Sequence, residues 1–140
     1  MMIDYDKKMT GEYIESVGRR KTATARVRMF KAKKTEVIVN GQPVEEYFPT
    51  EEMQLMTKEP FTTVEELADP FFVSVHVSGS GLSGQAQAVR HGISRALVDF
   101  SSEAKKPLKD KGFLKRDPRM VERKKPGRKK ARKSSQWSKR

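Results

Sequence analysis

The chain has 140 residues, of which 34% are charged, with 30 Lys and Arg against 18 Asp and Glu, a formal net charge of +12 and a mean hydropathy of −0.77. That length holds one modest core. The lack of cysteine excludes disulfides and thiolate metal sites, and His76 and His91 are too few for a histidine metal cluster, so neither metal nor cofactor is expected. The opening MMIDYDKKMTGEY lacks the apolar stretch of a signal peptide, and no run reaches the roughly eighteen apolar residues of a membrane span. A cytosolic protein is expected, with no membrane partner.

Residues 1–11 are polar and aperiodic and read as a flexible leader without an assignable task. The β-formers Tyr13, Ile14 and Val17 predict a first strand over Glu12 to Val17, closed by Gly18. Arg19, Arg20 and Lys21 then form a cationic turn. From Thr22 the chain alternates, with Ala23, Ala25, Val27 and Met29 on one face and Thr22, Thr24, Arg26 and Arg28 on the other. This is the second strand of a hairpin, and Arg26 and Arg28 add two cations about 7 Å apart along it. The five cations fit a nucleic-acid contact and fit a solvated outer face equally well; the residues alone leave both open.

Lys31 to Thr35 reads as a basic loop, and Val37 to Val39 as a third strand ended by the turn Asn40-Gly41. Pro43 opens a helical turn through Tyr47, and Pro49 stops it. Thr50 is placed to cap a helix from Glu51 to about Lys58, with acids in its first turn and Lys58 in its last, and Pro60 is expected to end it. Phe61 to Pro70 stays open between a turn of helix and an irregular strand. Phe71 to Ser78 is the clearest strand, with Phe71, Val73, Val75 and Val77 on one face and Phe72, Ser74, His76 and Ser78 on the other, and it is expected to be central.

Gly79-Ser80-Gly81-Leu82-Ser83-Gly84 follows that strand, opens a helix and satisfies G-x-G-x-x-G, with Asp99 twenty residues past Gly79. A dinucleotide site needs its acid at the end of a second parallel strand, whereas Asp99 lies near the end of the same helix and no strand follows. Nucleotide binding is therefore rejected, yet Gly79, Gly81 and Gly84 bare the backbone at a helix start, where a phosphate of RNA could bind. Ala86, Val89, Ile93, Ala96 or Leu97, and Phe100 step at three and four along the main core helix. Its opposite side holds Arg90, His91, Ser94 and Arg95, and Gly92 predicts a close approach in mid-helix. A shorter helix from Glu103 to Lys111, capped by Ser101 or Ser102, stops at Gly112. Ser, His and Asp are present but nothing gathers them, and the pairs Glu45-Glu46, Glu51-Glu52 and Glu65-Glu66 read as solvated faces, so catalysis is not expected.

The last 26 residues, Lys115 to Arg140, hold thirteen Lys or Arg against Asp117 and Glu122, a net of +11, while residues 1–114 carry a net of +1. Beyond Met120 and Val121 the only large apolar side chain of this arm is Trp137, too little to offset its ordering entropy. Alone in water it is expected to be disordered. A polyanion would supply the missing free energy through phosphate contacts and counterion release.

Four segments taken together carry a resemblance. GRRKTATARVR from Gly18, VNGQPVEEYFP from Val39, GLSGQAQAVRHGISRALV from Gly81 and RDPRMVERKKPGRKKAR ending at Arg132, with a terminal SKR, resemble small-subunit ribosomal protein nine in its bacterial form. The likeness runs from about Tyr13 to Arg140. It implies an α+β, two-layer fold: a mostly antiparallel sheet of about four strands packed against helices, a left-handed βαβ crossover and a long extended basic C-terminal arm. The expected division is a leader at 1–11, a globular RNA-binding domain at 12–114 and the arm at 115–140.

The resemblance also implies partners: ribosomal RNA in the head of the small subunit, neighbouring ribosomal proteins there, and the P-site tRNA. Arg19, Arg20 and Lys21 match the family's basic turn, and Arg90, His91 and Arg95 its helical face. Arg116, Arg119, Arg123, Lys124, Lys125, Arg128, Lys129, Lys130 and Arg132 match its arm, with Lys133 beside them. Ser138, Lys139 and Arg140 would approach the phosphates of the tRNA anticodon stem-loop. The sequence departs from the family at Pro126, where an aromatic is commoner, at Trp137, where Phe is, and in the loop Lys31 to Thr35, which lacks the expected glycines. Two other classes share some of these features. A DNA-compacting protein would show no preference for structured RNA over duplex DNA, and a nucleotide-dependent enzyme would bind free nucleotide at Gly79 to Gly84.

Overall fold

The computed structural model describes residues 9–66 and 69–139. Strands β1 (Tyr13–Arg20) and β2 (Ala23–Lys31) pair antiparallel from Tyr13 against Phe30 to Arg20 against Ala23. The alternation holds: Ala23, Ala25, Val27 and Met29 are buried and Arg26 and Arg28 exposed. β1 does not close at Gly18 but runs on to Arg20, so the turn is Lys21-Thr22, with Lys21 at φ 51°. Gly18 marks a close approach. A β-carbon there would lie 1.9 Å from the Ala88 carbonyl oxygen and 2.3 Å from the Gly92 nitrogen, so the glycine lets helix backbone rest on strand backbone.

β3 (Glu36–Val39) and β4 (Gln42–Pro43) form a small hairpin around Asn40 and Gly41, both in the left-handed region at φ 49° and 80°, as a type I′ turn requires. Helix α1 (Val44–Tyr47) follows, then α2 (Glu51–Thr63), whose first turn is capped by Met53 N–H donating to Thr50 Oγ1. α2 passes through Pro60 and ends at Thr63, beyond the expected stop. Proline already has a helical φ, but inside a helix it removes one donor and crowds the carbonyl four residues back, a cost of about 3 kcal/mol that packing has to offset. Pro60 is buried in the core side of the helix, and the last turn is closed by Val64 N–H donating to Pro60 O at 3.3 Å. Phe61 to Thr63 are thereby helical, which decides the first part of the open segment.

β5 (Phe71–Ser78) lies at the centre of a five-stranded sheet of order β1-β2-β5-β3-β4, antiparallel to β2 and parallel to β3. The fifth strand beyond the four expected is the two-residue β4. α3 (Leu82–Phe100) buries Ala86, Ala88, Val89, Ile93, Ala96 and Leu97 against the sheet. The approach predicted at Gly92 is real: a β-carbon there would stand 2.6 Å from Val27 Cγ2 and 3.1 Å from Gly18 N. Ser94, placed by its spacing on the polar side, is buried, and its hydroxyl donates back to Arg90 O at 2.7 Å. The expected single helix from Glu103 is instead a 3-10 turn, Ser102–Ala104, followed by α4 (Lys105–Asp110), with no side-chain cap from Ser101 or Ser102. Pro107 in the first turn of α4 needs no donor there, which lessens the demand for one.

The main core lies between the sheet and the helices, where each fully buried Val or Phe contributes about 1.5–3 kcal/mol. On the far face a smaller cluster, Phe30, Ile38 and Phe72, takes Met9 as a partner. The rest of that face presents Arg26, Arg28 and His76 to solvent.

Candidate nucleic-acid interface

Three segments meet at one end of the sheet: the β1–β2 turn, the first half of α3 and the start of the arm. On α3, Gln87, His91 and Arg95 follow at intervals of four and so share a face. β1 is an edge strand, and this face serves it. Arg95 Nη1 donates to Val17 O at 2.6 Å, and Arg19 N–H donates to His91 Nδ1 at 3.2 Å. The other ring nitrogen of His91 stands 3.3 Å from Leu114 O, so the neutral ring protonated at Nε2 satisfies both neighbours. Burial holds the His91 imidazole below its ordinary pKa, and the nearby charges of Arg95 and Arg116 act the same way.

Arg20, the last residue of β1, faces inward beside the turn. Its guanidinium donates from Nε to Gln87 Oε1 at 2.7 Å and from Nη1 to Arg119 O at 2.6 Å, and pairs with Asp117 Oδ1 at 3.2 Å. Arg116 Nη2 reaches Lys21 O at 3.3 Å. Arg19 and Lys21 thus stand beside Arg116 and Arg119, giving one cationic end to the sheet, with the Arg19 side chain exposed and Lys21 partly so.

The other sequence-derived residues fall elsewhere. Arg90 pairs with Glu59 at 3.0 Å and lies over the Phe113 ring, 4.8 Å from its centroid, so it ties α3 to α2 and to the segment before the arm. Arg26 pairs with Glu15 at 3.0 Å, and Arg28 lies over Tyr13 at 5.2 Å, both exposed on the far face. Gly79 has φ 86°, and a β-carbon there would lie 2.3 Å from Thr22 O. A β-carbon on Gly84, inside α3, would lie 2.7 Å from Ser80 Oγ. Packing against the β1–β2 turn accounts for Gly79 and contact with the Ser80 side chain for Gly84, while Gly81 faces open space.

The arm contains no helix or strand from Lys115 to Lys139. Its cations Arg123, Lys124, Arg128, Lys129, Lys130, Arg132 and Lys133 are exposed and Lys125 is half-buried. Lys125-Pro126-Gly127-Arg128 is a turn closed by Arg128 N–H to Lys125 O at 3.3 Å, with Gly127 at φ 76° as a type II turn requires. Glu122 accepts from Lys125 and Arg132, and Arg128 Nη1 donates to Arg132 O and Ser134 Oγ. Ser138, Lys139 and Trp137 are exposed. Arg140 lies outside the described residues.

Sequence reasoning missed Gln87 and Asp117 as partners of Arg20 and Leu114 as a partner of His91. The four-residue spacing of Gln87, His91 and Arg95 was the available signal. Among the described residues no cluster of His, Asp or Glu could hold a metal ion, and no helix is long and apolar enough to cross a membrane.

A profile of the family described as ribosomal protein S9/S16 matches residues 18–140. The small ribosomal subunit protein uS9 of Lawsonia intracellularis is 46% identical over 132 residues, covering 94% of this chain and 100% of that protein. The protein of the same name from Chlorobium luteolum is 54% identical over 129 residues, covering 92% of this chain and 98% of its own length. The basic turn, the α3 face and the cationic arm all fall within the matched span, and with both relatives covered almost end to end the chain belongs to the ribosomal protein S9/S16 family in its bacterial form, a ribosomal protein of translation and not an enzyme.

Proposed function

We propose that the chain is a structural protein of the small ribosomal subunit that binds ribosomal RNA in the head, beside neighbouring ribosomal proteins, and sends its arm to the P-site tRNA. The observation that carries this reading is the arm: thirteen Lys or Arg in 26 residues, with no helix or strand among its described residues and every described Lys or Arg but Lys125 exposed. Such a segment gains free energy by neutralising phosphates and releasing counterions. Arg19, Lys21, Arg95, Arg116 and Arg119 supply the docking end of the folded part. Arg20, His91 and Arg90 support it through their contacts within the chain. Arg26 and Arg28 add cations on the far face, and Gly79, Gly81 and Gly84 shape the backbone beside the turn.

The same reading divides the chain into a leader at 1–11, a globular part at 12–114 and the arm, gives the β3-to-β5 crossover a left hand, and locates the protein on cytoplasmic ribosomes. Extended at up to about 3.5 Å per residue, Ser134 to Arg140 spans roughly 25 Å, enough for Ser138, Lys139 and Arg140 to reach an anticodon stem-loop that the folded part never meets. In a sedimented lysate the chain should co-migrate with the small subunit and leave it only at high salt; migration as free protein would overturn the reading. Deleting Ser138 to Arg140 should leave that co-migration intact and speed tRNA release from the P site, and unchanged release would reject the tRNA contact.

A further inference from the structure

We propose that Arg20 and Asp117 are positioning residues that clasp the root of the arm, residues 114 to 119, to the β1–β2 turn and α3, so that the arm's direction of exit is fixed before RNA is met. The inference rests on the RNA-binding reading above. A guanidinium whose side chain is only 10% exposed requires partners, and two segments supply them: α3 with Gln87, and the arm root with the Arg119 carbonyl and the Asp117 carboxylate. Asp117 is fixed in turn by Arg119, whose main-chain N–H donates to Oδ1 at 3.0 Å and whose guanidinium reaches both oxygens, at 3.1 and 2.7 Å for the closest bond to each. These hydrogen bonds, and then the charge of Arg20, hold the Asp117 carboxyl well below the usual carboxylate range, so it is ionised throughout neutral pH.

Two further bonds flank the clasp, Arg116 Nη2 to Lys21 O and His91 to Leu114 O. Beyond Arg119 the pattern changes, because the hydrogen bonds of Glu122, Arg128 and Arg132 stay inside the arm. The sequence points the same way. A segment selected for phosphate contact alone gains nothing from an acid, yet this one keeps Asp117 where it bridges Arg20 and Arg119. A root ordered in advance spares RNA binding the entropy of fixing it and limits the volume the distal cations must search.

Charge and clasp predict opposite signs, which makes the test decisive. Asp117→Ala raises the net charge of the full chain by one, so an arm acting through charge alone binds deproteinised small-subunit ribosomal RNA more tightly. The clasp predicts weaker binding, by about three- to tenfold, with the melting temperature of the folded part unchanged. Arg20→Lys keeps the charge but has one nitrogen where the planar guanidinium offers Nε to Gln87 and Nη1 to the arm root, and is expected to weaken binding in the same direction. Affinity for Asp117→Ala equal to or above wild type overturns the proposal, and should Arg20→Lys fail to fold, Asp117→Ala decides alone. Amide relaxation without RNA supplies the second readout: residues 114–119 are expected to be as ordered as the strands in wild type and as mobile as residues 123–133 in Asp117→Ala. A wild-type root as mobile as the distal arm overturns the clasp, and a wild-type chain that ignores RNA overturns the functional reading while the relaxation result still judges the clasp.

Discussion

His91 takes a backbone N–H from Arg19 on one ring nitrogen and faces the Leu114 carbonyl with the other, so a second ring proton has no acceptor at Nδ1 and would meet the Arg19 donor head-on. Burial and the charges of Arg95 and Arg116 oppose the imidazolium too, which places the folded-state pKa below the ordinary value of 6.5. The unfolded chain therefore binds the proton more readily than the folded one, and stability rises with pH. The contribution is complete above the unfolded value, near 6.5, and is lost as pH falls from there through the lower folded value. His91→Gln should remove that part of the pH dependence. Urea unfolding between about pH 7.5 and 5.5 would show the gap between wild type and variant narrowing on the acid side. His76, the only other histidine, is common to both proteins and cancels in the comparison. A gap constant over that range would mean that His91 binds its proton equally in the folded and unfolded chain, so that folding does not lower its pKa.

At the scale of elements, Asn40 shows how a turn residue can bind a sheet together. Its backbone N–H donates to Val75 O at 2.9 Å, and its side chain then imitates a peptide. Oδ1 accepts from Val77 N–H at 2.9 Å while Nδ2 donates to Val77 O at 2.9 Å, extending the parallel β3–β5 ladder past the end of β3. From there the network passes through the Tyr47 hydroxyl to Gln85 and on to Gly79 O, so the small hairpin, α1, the start of α3 and the glycine turn are linked. Asn40→Ala should cost about 2–3 kcal/mol, from two part-buried hydrogen bonds and a left-handed φ that Ala adopts poorly. Asn40→Gly should recover about 1 kcal/mol of that, the backbone share. Equal losses in urea titrations would put the whole effect in the side-chain bonds. The dipeptide Asn40-Gly41 announced the turn in the sequence, because turn type depends on local φ; the lacing to Val77 did not, because it depends on a strand that arrives 37 residues later. Gly18 and Pro60 were misread for the same reason. Each is a local stop signal that tertiary contact overrides, Gly18 because α3 lies on it and Pro60 because the core buries it.

Across the whole molecule, the separation of charge was plain in the sequence, since composition needs no coordinates; the ties between the arm and the folded part were not. In the sequence Asp117 is one of two acids counted in a basic run, and only the structure gives it Arg20 as a partner 97 residues away in the chain. The division of tasks can be tested by ending the chain after Arg119, which keeps every contact of the clasp and lowers the formal net charge from +12 to +3. No residue from 120 to 139 is buried, so the truncated protein should melt within about 2 °C of the full chain. Its affinity for small-subunit ribosomal RNA at low salt should fall by about a hundredfold or more, and the slope of log affinity against log salt should flatten, because each phosphate no longer neutralised removes about 0.9 from that slope on duplex nucleic acid and about 0.7 on single strands. Retained affinity with an unchanged slope would move the binding energy to exposed cations of the folded part such as Arg19, Arg26, Arg28 and Arg95, and reduce the arm to a passenger. A lowered melting temperature would instead show that the distal arm, which buries nothing on itself, stabilises the sheet through contacts to its outer surface.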